Sequence, residues 1–295
     1  MKKQIRGAFL LLICTMIWGL AFVAQSVGME HIGPFTFQAV RSFLAVIGLL
    51  PVSAIADRFK KDGETFLSRW KDKNLWKAGL LCGIPLFIAC NLQQVGLVDT
   101  DAGKSAFLTA MYIVIVPVLG TFLNRKPSKM IPLCVVLAVS GLYCLSCVGV
   151  SQINIGDILL LGGAFAFAVQ IILVDAFGLH VDALRLNIIQ SLVCAVLSMV
   201  LMFFTESPTW QAIGQSWLPL AYAGFLSMGI AYYLQILGQK DLEMSAASIF
   251  LSMESVFAVI FGAVLLQETM TQWEWVGCIL MFAAVILSQI PIKEK

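Results

Sequence analysis

The sequence has little charge. Only 12% of its 295 residues are Asp, Glu, Lys or Arg, whereas 60% are hydrophobic. A soluble domain of this length needs a charged surface that this composition does not supply, so the class of soluble globular proteins is excluded. The formal net charge of +2 is too small to indicate a nucleic-acid partner, and none is expected.

Metal-ligating and nucleotide-binding patterns are also scarce. The two histidines, His31 and His180, lie in short predicted connections and form no metal-ligand cluster. The sequence contains no Gly-x-x-x-x-Gly-Lys-Ser/Thr motif and has no room for a nucleotide-binding domain. All eight cysteines fall in apolar runs, where we expect packing, and Cys144-x-x-Cys147 has no second pair to support a metal or redox site. No cofactor is expected, and no ATP-driven activity is predicted.

Long apolar runs make up most of the chain. At about 20 residues per membrane-spanning helix they predict roughly ten spans. The start, Met-Lys-Lys-Gln-Ile-Arg, imitates a signal peptide, but its apolar run is long and lacks a convincing cleavage site, so we interpret it as the first span. We interpret the charged segment 57–75 as a solvated loop. The predicted helices are 6–27, 34–56, 76–97, 102–123, 130–149, 156–177, 183–204, 217–238, 244–266 and 273–291.

Basic residues predict the orientation. If the N terminus is cytoplasmic, seventeen of the nineteen Lys and Arg residues fall on the cytoplasmic side and no external loop receives any. Only Arg41 and Lys104 remain, toward the outer ends of their helices. We expect a multi-pass protein of the bacterial cytoplasmic (inner) membrane with both termini inside.

The chain resembles itself. A shift of 142 residues aligns Leu92 with Leu234, Gln93 with Gln235, and Gly120 with Gly262, and a shift of 149 aligns the first helix with the sixth. The halves 1–149 and 150–295 each contain five predicted helices, an odd number, so the second half must enter the membrane from the opposite side. Inverted-topology repeats of this kind are typical of transporters with a site near the membrane midplane. The predicted fold class is all-α, with ten transmembrane helices in two inverted five-helix repeats.

Glu254 lies inside the ninth apolar run, about eleven residues or 16 Å from either end. A carboxylate at that depth should face a partner or a water-filled cavity. Its role is either in transport, with proton coupling as one form, or in tying helices together. The shift of 142 aligns Glu254 with Tyr112, which shares a helix face with Ser105 and Thr109.

Other polar residues in the spans also have alternative roles. Asn91 and Gln94 share one face of the third helix, with Gln93 about 100° away, and we expect some of these amides to line a cavity and some to join helices. Arg41 either holds an anionic group, pairs within the protein or reaches outward to the surface. Pro85 and Pro117 predict kinks.

Four segments resemble the EamA-type members of the drug/metabolite transporter superfamily. They are Trp18-Gly19 followed by Phe22, Arg41-Ser-Phe-Leu-Ala45, the run from Asp101 to Pro117, and Leu251-Ser-Met-Glu-Ser-Val-Phe-Ala258 with Leu265-Leu-Gln-Glu268. The sequence departs from the family pattern at Ser255, where proline is usual, and at Gln267, where glycine is usual.

The resemblance implies a 5+5 inverted repeat around a central cavity bounded largely by helices one, three, four, six, eight and nine. It also implies movement of small metabolites, often outward and including amino acids, with Trp18 and Tyr112 as cavity aromatics and Glu254 as a cavity acid. The expected partners are a small-molecule metabolite and membrane lipid; whether the protein forms a homodimer is left open. An intramembrane enzyme acting on a lipid-like substrate is the alternative, but it would require clustered carboxylates or metal ligands that the sequence does not show. The candidate substrate-binding residues are Trp18, Arg41, Asn91, Gln94, Thr109, Tyr112, Gln235 and Glu254.

Overall fold

The structure is a computed structural model that describes residues 2–60, 64–123, 128–146, 154–266 and 271–288. These residues form helices and short connections, and no β-strand occurs among them. A helix satisfies its backbone N–H and C=O groups internally, which is the requirement that lipid imposes on an apolar segment. The all-α class predicted from the sequence is therefore confirmed.

The first half of the chain contains seven helices in the described ranges. Their apolar stretches match the first five predicted runs, and a four-residue helix, α3, lies within the charged segment 57–75. The helices are α1 (Lys2–Gly28), α2 (Pro34–Arg58), α3 (Phe66–Arg69), α4 (Lys73–Gly96), α5 (Ala102–Ala110), α6 (Tyr112–Phe122) and α7 (Ile131–Ser146).

The second half contains, in its described ranges, eight α-helices and two segments of other helical types. The 3₁₀ turn Gly178–His180 precedes α9, and the π-helical segment Tyr222–Ala231 joins α11 to α12. Asn187 of α9 donates hydrogen bonds to two carbonyl oxygens of that π-helical segment, those of Met228 (3.2 Å) and Gly229 (2.8 Å). The α-helices are α8 (Ile155–Phe177), α9 (Ala183–Thr205), α10 (Trp210–Gln215), α11 (Trp217–Ala221), α12 (Tyr232–Gln239), α13 (Met244–Leu251), α14 (Glu254–Leu266) and α15 (Gln272–Ser288).

Among the described residues, eight helical stretches are long and apolar enough to cross a membrane. The two remaining apolar runs, Ile131–Cys144 and Gln272–Ser288, are shorter. They belong to α7 and α15, which pack closely against each other. The chain is thus a multi-pass membrane protein by helix length and composition.

One end of the helix bundle carries a buried network of charges. Arg185, in the first turn of α9, pairs with the carboxylate of Asp57 in the last turn of α2. The Arg185 guanidinium also lies over the rings of Phe66 and Trp70, at 5.7 and 5.5 Å from their centroids. Lys60 bridges to Asp182, the N-cap residue of α9, at 2.7 Å. The segment 57–75, interpreted from the sequence as a solvated loop, is in part docked on α9 by these contacts.

The opposite end of the same helix pair is held by Glu206, which follows α9 directly. Its carboxylate accepts hydrogen bonds from the backbone N–H groups of Phe35 (2.9 Å) and Thr36 (2.8 Å) and from the Thr36 hydroxyl (2.5 Å). A carboxylate is favourable there because the first N–H groups of a helix have no intrahelical partner and carry a partial positive charge. Helices α2 and α9 are therefore fastened to each other at both ends.

Candidate functional site

Two apolar runs that the sequence predicts as single helices are interrupted near their centres. The fourth run divides at Met111 into α5 and α6, and the ninth divides at Ser252 and Met253 into α13 and α14. Met111 and Met253 are 142 positions apart, the shift that aligns the two halves. Helices α4 and α6 continue through Pro85 and Pro117, so the break in the fourth run lies six residues before its proline.

Serine hydroxyls bond to the backbone at the break in the ninth run. Ser248 and Ser252 donate to the carbonyls three residues earlier, at 2.8 and 2.7 Å, and hydroxyls that bond back in this way compete with the helical ladder. Ser255 donates instead to the Ala106 carbonyl of α5, at 2.9 Å. Ser255, which stands where the family usually has proline, thus links the two interrupted runs.

The two interrupted runs cross each other. Helix α5 packs against α14, and α6 packs against α13. At the crossing, the Tyr112 hydroxyl donates a hydrogen bond to Glu254 Oε1 at 2.9 Å. Both residues begin a half-helix, so the Glu254 carboxylate lies at a helix N terminus, where the helix dipole favours negative charge.

Glu254 and Tyr112 line one cavity in the interior of the bundle. Its volume is about 30 Å³, which is enough to hold water. Aromatic, amide and charged side chains share its wall. The lining residues are Trp18, Ala21, Phe22, Gln25, Arg41, Gln93, Thr109, Tyr112, Phe167, Gln170, Ile171, Ser227, Tyr232, Gln235, Leu251 and Glu254.

Trp18 lies in this wall because Gly19 lets α1 approach α14 closely. A Cβ at position 19 would lie 2.5 Å from Phe257 Cβ and 2.8 Å from the Ala258 backbone nitrogen. The Trp18 indole packs against Tyr232 with 4.8 Å between ring centroids, and its N–H is 3.4 Å from the Ser227 carbonyl oxygen. The Trp-Gly pair therefore combines close helix packing with a fixed cavity aromatic.

Arg41 is buried and does not reach outward to the surface, so that alternative is wrong. Its Nε donates to Gln38 and its terminal nitrogen donates to Gln25, both at 2.6 Å, and its guanidinium lies 5.8 Å from the Phe37 ring centroid. The other outer cation, Lys104, pairs with Asp157 at 2.6 Å and joins α5 to α8. Arg41 gives the cavity a positive group in addition to the carboxylate of Glu254.

The structure brings six of the eight candidate residues to the cavity wall and leaves two away from it. Asn91 donates to the Phe87 carbonyl and to Ser198 of α9, both at 2.8 Å, and Gln94 is buried without lining the cavity. The neighbouring Gln93 lines the cavity instead and donates to Thr109 at 3.2 Å. Packing explains the rotation of α4, because Gly96 approaches Leu160 of α8 too closely for any side chain.

Sequence reasoning missed several cavity residues that the internal repeat could have indicated. A shift of 149 carries Trp18 to Phe167 and Ala21 to Gln170, and all four line the cavity. Gln25 has no such counterpart in the wall, but it lies two helical turns after Trp18 and therefore on the same face of α1.

The cavity wall contains residues from the first, third, fourth, sixth, eighth and ninth predicted runs, which are the six that the family resemblance names. Arg41 adds the second predicted run. Comparison with known proteins defines the class. The sequence profile of the EamA-like transporter family matches residues 5–147 and 154–289. The chain belongs to this family, which is part of the drug/metabolite transporter superfamily, and the protein is a membrane transporter.

Individual proteins are similar over nearly the whole chain. An uncharacterized transporter of Archaeoglobus fulgidus is 30% identical over 98% of this chain and 88% of its own length. The uncharacterized transporter YoaV of Bacillus subtilis is 25% identical, covering 95% of this chain and 96% of its own. A solved crystal structure superposes with a TM-score of 0.77 at 16% identity, covering 96% of each chain, and this similarity concerns the fold.

Proposed function

We propose that the protein is a secondary exporter of amino acids or closely related zwitterionic metabolites. The observation that carries the proposal is a single buried cavity whose wall contains both the Arg41 guanidinium and the Glu254 carboxylate. A zwitterion presents a carboxylate to the first and an ammonium group to the second, and charge-assisted hydrogen bonds are stronger than neutral ones. Trp18 and Tyr232 add aromatic surface for the remainder of the molecule.

An alternating-access mechanism with two inverted repeats is supported by pairs of equivalent positions. Tyr112 contacts Glu254, and the Cys90 thiol lies 3.5 Å from the Tyr232 hydroxyl; both pairs are 142 positions apart. Two equivalent positions that touch each other must lie near a pseudo-twofold axis. On this proposal, residues 1–149 and 150–295 form the repeats, and α7 and α15 complete ten spans.

The small volume of the cavity supports a conformation in which the binding site is too contracted to hold a substrate. Its space of about 30 Å³ holds waters but no metabolite, whereas ligand pockets measure about 300–1,000 Å³. Substrate entry therefore requires the crossing half-helices to separate. The interruptions at Met111 and Met253 are where these runs can bend at the lowest cost in backbone hydrogen bonds.

The proposed orientation places both termini in the cytoplasm of a bacterial cell, at the inner membrane. The end of the bundle that carries Arg6, Lys60, Arg69 and Arg185 becomes the cytoplasmic end, in agreement with the positive-inside rule. Export corresponds to substrate loading at this end and release at the end that carries Glu206.

Counterflow in proteoliposomes tests the transport proposal. Vesicles preloaded with an unlabelled amino acid should accumulate the same labelled amino acid transiently, because a carrier exchanges substrate without net driving force. A panel of the common amino acids, with amines and nucleosides as comparison classes, identifies the substrate class. Counterflow with amines or nucleosides and with no amino acid would contradict the zwitterion assignment.

Proton coupling is assigned to Glu254, the carboxylate in the cavity wall. Imposed pH gradients should drive uptake in wild-type vesicles, whereas E254Q, which can neither exchange a proton nor offer a charge to the substrate ammonium group, should show weaker counterflow and no response to the gradient. The matched control is E30Q, at an exposed carboxylate of the α1–α2 connection. Full gradient dependence in E254Q would show that the proton is carried elsewhere.

A further inference from the structure

A chain of four buried side-chain amides leads from the cavity to the π-helical segment. Gln235 Nε2 donates to Gln170 Oε1 at 3.2 Å, and Gln170 Nε2 donates to Gln190 Oε1 at 3.4 Å. Gln190 Nε2 then donates to Asn187 Oδ1 at 2.8 Å. Asn187, the last member, donates to two backbone carbonyls of the π-helical segment. All four residues are 0–1% exposed, so water does not complete their hydrogen bonding from outside.

The backbone at the far end determines the direction of every amide in the chain. A backbone carbonyl only accepts hydrogen bonds, so Asn187 must turn its NH₂ group to the π-helical segment and its oxygen to Gln190. Gln190 must then donate to Asn187, Gln170 must donate to Gln190, and Gln235 must donate to Gln170. Reversing any single amide would place two donors or two acceptors against each other.

The cavity end of the chain is left with an acceptor. Gln235 lines the cavity, and its Oε1 has no hydrogen-bond partner among the described residues. Gln170 also lines the cavity, but both of its amide atoms are engaged within the chain. This oxygen is itself buried in the present conformation, so a substrate N–H or O–H group reaches it, and relieves the cost of an unpartnered acceptor, when the cavity widens to admit the substrate.

We infer that Gln235 selects substrates with a hydrogen-bond donor, and that the amide chain holds its oxygen available for that donor. The inference rests on the proposed function, in which the donor is the ammonium N–H of a zwitterion. Gln235 is a specificity-determining residue, since it contacts the substrate. Asn187 does not line the cavity and is a positioning residue, because its bonds to the backbone prevent the other amides from turning over.

The test uses glycine and its N-methyl, N,N-dimethyl and N,N,N-trimethyl derivatives, with binding measured as thermal stabilisation of the purified full chain. The dimethyl form keeps one N–H and the trimethyl form has none. Steric exclusion weakens binding gradually along the series, whereas loss of a required hydrogen bond produces a step at the last methylation. We expect wild-type protein to bind the trimethyl form at least tenfold more weakly than the dimethyl form.

Variants assign the step to Gln235 and to the amide chain. Q235M keeps the side-chain length but has no acceptor. The ratio of the dissociation constants for the trimethyl and dimethyl forms should therefore fall about tenfold. N187L should reduce the step because the remaining amides become free to reverse. The matched control is Q239M, one turn later on α12, where Gln239 is buried, donates to the Ile171 carbonyl and does not line the cavity. Its step should equal that of wild type.

Each result decides the inference. A gradual decline in wild-type protein, absence of glycine binding, or an unchanged step in Q235M would overturn it. A lower unfolding temperature of N187L with an unchanged step would mean that Asn187 is only structural, and the positioning role would fail. Counterflow measured in parallel separates the two proposals: a step without counterflow of any amino acid refutes the transport proposal and retains the site.

Discussion

Asp57 and Arg185 form a buried ion pair in which the two side chains are only 7% and 2% exposed. The pair joins the last turn of α2 to the first turn of α9. At the other end of these helices, Glu206 fastens the last turn of α9 to the first turn of α2. Under the shift of 149, Glu206 corresponds to Asp57 and Thr36 corresponds to Arg185, so a carboxylate performs the same task at both ends.

We predict that R185M lowers the free energy of unfolding by about 1–3 kcal/mol, because the buried Asp57 carboxylate loses its closest counter-charge while Lys60 and Arg69 remain at 3.7 and 3.5 Å. Thermal unfolding in detergent measures the effect. The control is R58M, one residue from Asp57 at an exposed position. The double variant D57N/R185M should lose less than the sum of the two single variants, since the residues interact. Strict additivity would contradict the coupling.

Glu206 provides a second prediction at the opposite end. E206Q keeps one acceptor oxygen but removes the charge, and its NH₂ group faces one of the two backbone N–H groups that need an acceptor. We expect a loss of about 0.5–2 kcal/mol, the range for helix caps. Thermal unfolding of E206Q compared with E30Q separates this effect from a general change in charge. Equal unfolding temperatures would argue against capping of α2 by Glu206.

Gly19 provides a third prediction, about packing. In G19A the new methyl group meets the backbone and Cβ of α14, which cannot move as a flexible side chain can. We expect a loss of about 1–3 kcal/mol. G214A is the matched control because a Cβ at that helical position meets no atom within 4 Å, and the change should be neutral or slightly stabilising. If G19A unfolds at the same temperature as G214A, the close approach of α1 and α14 is wrong.

Tyr112 provides a fourth prediction, which concerns function. Y112F removes the hydroxyl that donates to Glu254 and leaves the ring in place. In wild-type vesicles that respond to a pH gradient, we expect Y112F to shift the pH dependence of uptake, because the carboxylate loses a hydrogen bond to its charged form. Counterflow at fixed pH should change less. The same pH profile in Y112F and wild type would show that the contact does not influence the titrating group.

Much of the fold followed from the sequence because lipid imposes simple requirements on helix length and polarity. The apolar runs predict the eight long apolar helices of the described residues. The shift of 142 aligns Tyr112 with Glu254, and these two residues are in contact. The rotation of α4 was not predictable, because Asn91, Gln93 and Gln94 occupy more than one face and only packing of Gly96 on α8 decides which face meets the cavity. Cys147, in the Cys-x-x-Cys pattern, lies outside the described residues.

The positions of the helix breaks were likewise not predictable from the sequence. Proline is the available sequence signal for irregular backbone, yet the fourth run is interrupted at Met111 and the ninth at Ser252 and Met253, and no proline lies at either interruption. In the ninth run, two serine hydroxyls at the break donate to backbone carbonyls three residues earlier. Which serines bond back to the helix depends on neighbours such as the Ala106 carbonyl, and these neighbours are distant in sequence.

The small volume of the cavity has a consequence for the passage of protons and ions through the protein. A hydrogen-bonded file of water across a hydrocarbon layer of about 30 Å, with oxygen atoms about 2.8 Å apart, requires on the order of ten molecules. A cavity of about 30 Å³ holds only a small part of such a file. In this conformation the cavity lined by Trp18 and Glu254 therefore does not by itself give protons or ions an aqueous path across the membrane.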